Sequence, residues 1–110
     1  MLAKENRLKK LDDFENVRHN GRFFKTENFT FTSFDRKDKE PSRFGIVVSK
    51  KVAMKATKRN KIKRQIRDVL RKNITGMKNG FDFVISAKPS IIHAAHAKIQ
   101  NDLEECLKDY

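Results

Sequence analysis

Leu, Ile, Val and Phe fill 29 of the 110 positions of this chain, enough apolar content for a single domain with one modest core and too much for a disordered chain. Its one cysteine, Cys106, excludes an internal disulfide and a cysteine-based metal cluster and reads as a small packing residue. No stretch reaches the roughly 18 uninterrupted apolar residues of a membrane span, and the opening MLAKENRLKKLDDF lacks the apolar run of a signal peptide; the expectation is a cytoplasmic protein without a membrane partner.

The first predicted element is a helix over residues 11 to 19. Leu11, Phe14 and Val17 recur at three-residue spacing, Asp12 and Asp13 suit its positive N-terminal end, and Asn20-Gly21 stops it. A short extended piece follows around Phe23 and Phe24. Residues 28 to 34, NFTFTSF, alternate as a strand, with Phe29 and Phe31 on one face and Thr30 and Thr32 on the other. After the polar run 35 to 42, the segment RFGIVVS (43 to 49) reads as a strand with Phe44, Ile46 and Val48 on one face. FDFVIS (81 to 86) is a further strand, and periodicity through Ile92, Ala95, Ile99, Leu103 and Leu107 predicts one helix from about 90 to 108.

Between the last two strands lies the basic stretch. The formal net charge is +12, and residues 50 to 72 hold eleven Lys or Arg against a single acid, Asp68. The remaining 15 basic and 13 acidic residues nearly cancel, so the excess belongs to one element. From Thr57, read as the N-cap, to about Lys72 there is no Gly or Pro, and a helix places its residues about 100° apart. With Ile62 at zero, Ile66, Val69 and Leu70 fall between about −20° and 80°, whereas Asn60, Arg64, Arg67 and Arg71 fall between about 140° and 200°. One side is core and the opposite side is a row of donors flanked by Lys61 and Lys63. The preceding Lys50, Lys51 and Lys55 form a second patch, and the backbone N–H groups of Lys58, Arg59 and Asn60 are expected to be free at the helix start.

A solvated helix face ordinarily mixes charges so that acids pair with bases four residues away, and this one has only Asp68. Such a field calls for a polyanion. Arg forks match phosphate oxygens, Asn offers donor and acceptor to a base or ribose, and Lys gives an adaptable point charge, a set suited to structured RNA. No zinc-finger spacing or leucine-zipper heptad directs the chain to DNA.

The runs FGIVVSKK (44 to 51) and KRNKIKRQIR (58 to 67) resemble the signature of the bacterial ribonuclease P protein family. Arg7-Leu8-Lys9-Lys10, Asp13-Phe14, Asn20-Gly21 and FDFVISAK (81 to 88) fall in the family's order around them. The resemblance implies an α/β (α+β) fold, a small two-layer sandwich in the order α-β-β-β-α-β-α, with a left-handed crossover around the basic helix. It also implies a protein that is monomeric within a ribonucleoprotein, whose catalytic RNA subunit and Mg²⁺ ions cleave precursor tRNA while the protein binds the 5′ leader and supplies no catalytic residue. Arg59, Asn60, Lys63, Arg64 and Arg67 match the family's basic motif, and Lys61 stands where many members have Arg. Phe14 matches an aromatic of the leader cleft; one turn on, where a second aromatic is common, the chain has Arg18, which implies an Arg plane or a phosphate contact in place of one ring. Ala53 stands where many members have Gly.

Two other readings compete, a structural RNA-binding protein of ribosomal type and a free-standing metal-dependent nuclease built on Asp12, Asp13 and Glu15. His93 and His96, three apart, are the other candidate metal ligands, without a third. No nucleophile triad and no glycine-rich phosphate loop is present.

Overall fold

The computed structural model describes residues 2–110. Helix α1 spans Leu11–Asn20, strands β1, β2 and β3 span Arg22–Lys25, Phe29–Asp35 and Arg43–Val47, helix α2 spans Ala56–Asn73, strand β4 spans Phe81–Ala87 and helix α3 spans His96–Leu107. The four strands form one sheet in the order β1-β2-β4-β3, antiparallel except for the parallel pair β3 and β4. Helix α2 is the crossover between that parallel pair, which is why the basic stretch is tied to the sheet at both ends.

Strand alternation divides the side chains between two faces. Phe29 and Phe31 of β2, Phe83 and Ile85 of β4 and Phe44 of β3 pack with Ile62, Ile66, Val69 and Leu70 of α2 and with Ile99, Leu103 and Leu107 of α3. Sheet and α2/α3 layer make the sandwich. Phe83 is its centre: its ring stacks on Phe44 at 4.9 Å and meets Tyr110 edge-on at 5.0 Å, arrangements that aromatic quadrupoles favour. The Tyr110 hydroxyl is satisfied by Ser33 Oγ at 2.6 Å.

The opposite face is only partly covered. There α1 and the segment before it bury Leu8, Val17 and Val84, with Phe14 and Phe34 packed alongside. Leu8 is held because its N–H donates to Phe44 O at 2.9 Å, which extends the β3 edge. At Gly80 φ is +91° and a Cβ would stand 2.4 Å from Asp38 O, so the turn into β4 requires glycine.

Three expectations shift. Strand β3 stops at Val47 rather than Ser49, because Ser49 O accepts the N–H groups of Val52 and Ala53 and the chain turns. Thr57 is not the N-cap of α2; that position is Lys55, extended and with no side-chain cap. The C-terminal helix is interrupted: Pro89–His93 is a 3-10 turn, Ala94 and Ala95 are extended, and α3 begins at His96. The turn is tethered to the β1–β2 connection by Lys88 N–H to Asn28 O (2.9 Å) and Ser90 Oγ to Glu27 O (3.0 Å). Helix α3 meanwhile lies along α2, and one straight helix does not satisfy both.

Candidate RNA-binding surface

The basic helix carries the two faces its periodicity predicts. Ile62, Ile66, Val69 and Leu70 are buried, while Lys58, Asn60, Lys61, Arg64, Arg71 and Lys72 are exposed and Arg59, Lys63 and Arg67 half-buried. Among the described residues no ion pair joins any of the eleven cations of residues 50 to 72 to an acid, Asp68 included. The row is uncompensated. With the helix starting at Ala56, Arg59 N–H is already bonded to Lys55 O at 3.1 Å, so the free N–H groups are those of residues 56 to 58 rather than 58 to 60.

Arg59 differs from its neighbours. Its Nη1 donates to Ala53 O at 2.9 Å and Met54 O at 2.7 Å, pinning the loop that carries Lys50, Lys51 and Lys55. Val52 and Ala53 are the buried residues of that loop. Among the described non-glycine residues only Lys37 has positive φ, so Ala53 fits without the left-handed backbone that would require Gly.

On the other face of the sheet lies a cleft of about 560 Å³, walled by Leu11, Phe14, Glu15 and Arg18 of α1. Its floor follows from the register. One row crosses the sheet as Phe23, Thr32, Val84 and Gly45, and the next as Thr30, Ser86 and Val47. Phe14 and Arg18 therefore share one wall, as their four-residue spacing predicts. Arg18 Nη1 is 3.3 Å from Glu15 Oε1 at an exposed site, a pair worth little and easily exchanged for a phosphate. Val47 closes the cleft at the end of β3, and Lys50 and Lys51 follow within four residues, so cleft and basic segment begin at the same sheet end. Phe23 also lines the cleft, a place that the sequence, which puts it only in an extended piece, does not indicate.

At the far end of the sheet Asp82, 2% exposed, accepts Arg36 Nη1 at 2.7 Å and Arg43 Nε and Nη2 at 2.9 and 2.7 Å. The Asp82 hydrogen bond holds the Arg43 guanidinium pKa above its ordinary value. Arg43 also reaches Asp13 at 3.3 Å, and Glu15 pairs with Arg18 and His19. Among the described residues no three His, Cys, Asp or Glu side chains group as metal ligands. Without such a grouping the described residues do not offer a resident Mg²⁺ the set of oxygen ligands it takes.

The family model for ribonuclease P matches residues 2–110. The chain belongs to the ribonuclease P protein family. The ribonuclease P protein component of a Synechocystis species is 38% identical over 104 residues, covering 94% of this chain and 84% of its own length. That of Fusobacterium nucleatum is 36% identical over 109 residues, covering 94% and 96%. The solved ribonuclease P protein of Staphylococcus aureus superposes with a TM-score of 0.86 at 32% identity, over 96% of this chain and 94% of that one. The Thermotoga maritima protein gives 0.81 at 30% identity, over 94% and 96%. The mixed α+β architecture with a four-stranded sheet is thus that of solved ribonuclease P proteins, and family membership makes the chain a subunit of an endoribonuclease, with RNA binding and tRNA processing as its role.

Proposed function

We propose that the protein holds the catalytic RNA with the Asn60, Arg64, Arg67 and Arg71 row and the Lys50–Lys51 loop, and holds the single-stranded 5′ leader of precursor tRNA in the cleft beside Phe14 and Arg18. The observation that carries this reading is the uncompensated cation row on α2, joined at one sheet end to a half-apolar cleft. Each phosphate contact releases condensed counterions, which gives affinity without sequence reading. In the cleft a leader base stacks on Phe14, worth about 1–3 kcal/mol per base. Arg18 gives up Glu15 for a leader phosphate or lies against a base, and the Thr30 and Ser86 hydroxyls face the same strand. The protein contributes position and charge neutralisation, and no side chain acts as acid, base or nucleophile. Mg²⁺ sits on the RNA side and catalysis is by RNA, so protein alone does not cleave. Lys61 and Lys63 add point contacts, and the protein enters the complex as a monomer in the cytoplasm.

Crosslinking in cells followed by identification of the bound RNA tests this reading. Recovery of the ribonuclease P RNA and 5′-extended tRNA precursors is the expected result; recovery of ribosomal RNA alone would overturn it in favour of a ribosomal-type protein.

A further inference from the structure

Phe23 is a large aromatic ring on a strand whose four residues are all exposed, and it is itself 62% exposed. Its register partner is Thr32 and it lines the cleft together with Thr32 and Val84. Among the described residues neither core cluster includes it, and the aromatic contacts join Phe31, Phe44, Phe81, Phe83 and Tyr110. An apolar ring left in water at a cleft wall costs solvation that a stacked base would recover.

The row Phe23, Thr32, Val84, Gly45 sets its place relative to Phe14, whose ring lies against Gly45 at the other end of the same row. Three strand steps of about 4.8 Å separate the two ends, roughly 14 Å. That is about twice the roughly 7 Å between two rings that sandwich a single base, so the row sets the two aromatics at opposite ends of the cleft floor, spaced for separate nucleotides. Arg18, one turn on from Phe14 in the same wall, has no ring to offer.

We infer that Phe23 is a second base-stacking residue of the cleft, holding a leader nucleotide distinct from the one on Phe14, so that the leader crosses the sheet from β3 to β1. This deepens the proposed leader-binding function and rests on it. The contact is apolar and sequence-tolerant, because every base has a π-face, and it binds substrate without touching the reacting atoms.

The test uses the complex reconstituted from this protein, its catalytic RNA and Mg²⁺, with precursor tRNAs carrying a long leader or a single-nucleotide leader. Phe23→Ala should weaken affinity for the long-leader substrate about fivefold to a hundredfold, the range of a lost base-aromatic stack. The single-nucleotide substrate should bind as before, the salt dependence should not change, and the single-turnover cleavage rate of bound substrate should be preserved. Phe23→Trp should retain affinity. Replacing leader nucleotides one at a time by abasic residues should reveal one position whose loss weakens wild type but not Phe23→Ala, and another with the same relation to Phe14→Ala. Unchanged long-leader affinity in Phe23→Ala while Phe14→Ala weakens it would overturn the inference and leave the cleft reading standing. If wild type makes no distinction between long and single-nucleotide leaders, the cleft reading itself falls and the inference with it. Phe23 is exposed, so the variant folds.

Discussion

The ring of Phe14 occupies the space above Gly45 where any other residue would place its side chain: a Cβ at Gly45 would stand 2.3 Å from Phe14 Cε1 and 2.5 Å from Cζ. Glycine in β3 ordinarily weakens a strand, and here it admits a close approach. Gly45→Ala must push the ring toward the cleft. Because the ring is only half-buried and borders the cleft, the stability cost should lie at the low end of the 1–3 kcal/mol typical of overpacking. Leader affinity should fall as Phe14→Ala does, and denaturation curves together with substrate titrations measure the two effects separately.

The cation row makes a prediction about salt. Arg64→Ala combined with Arg67→Ala should weaken binding to the catalytic RNA and lower the slope of log affinity against log salt by about 0.7–0.9 per lost phosphate contact. Arg59→Ala should weaken binding with little change of slope, since its guanidinium holds Ala53 O and Met54 O and its loss loosens the lysine loop. Titrations at several salt concentrations distinguish the two behaviours, and an unchanged slope for the double variant would mean those arginines do not meet phosphate.

The buried carboxylate of Asp82 counters two guanidinium groups, from Arg36 and Arg43. Asp82→Ala leaves both without their buried partner, a loss that costs about 3–5 kcal/mol for buried pairs. Urea denaturation should show the midpoint falling accordingly, whereas Arg18→Ala, which breaks only an exposed pair with Glu15, should move it by about 1 kcal/mol or less.

Cys106 supplies a pH dependence. Burial, with smaller contributions from Asp102 and Glu105, pushes its thiol up to about 11 from an ordinary 9.0. The folded state therefore binds the proton more tightly than the unfolded one, and stability falls with rising pH across that interval. Melting temperatures of wild type and Cys106→Ala should differ by a constant below pH 9, with wild type losing ground between pH 9 and 11. At neutral pH the thiol should resist alkylation until the protein unfolds.

The two faces of α2 were legible because eighteen helical residues without Gly or Pro repeat the apolar period several times over. The pairing of Phe14 with Arg18 on one wall was legible for the same reason. Phe23 was not, since β1 has four residues and two adjacent Phe, and a strand that short does not say which ring faces the cleft. Asp82 was visible as a strand position opposite the core, but its partners lie 39 and 46 residues away, and only the sheet brings them together. The break at Ala94 and Ala95 is set by tethers to Asn28 and Glu27, which local periodicity cannot register. The loop-holding role of Arg59 depends likewise on a turn whose shape the sequence left open at Ala53.

On the proposed reading the chain holds RNA and leader and does not itself cleave. The purified protein combined with its catalytic RNA, Mg²⁺ and a 5′-extended precursor tRNA at near-physiological salt puts this to the test. Faster 5′ maturation and tighter substrate binding than with RNA alone are expected, and no cleavage by protein and Mg²⁺ without the RNA. No gain over RNA alone, or cleavage by the protein by itself, would contradict it.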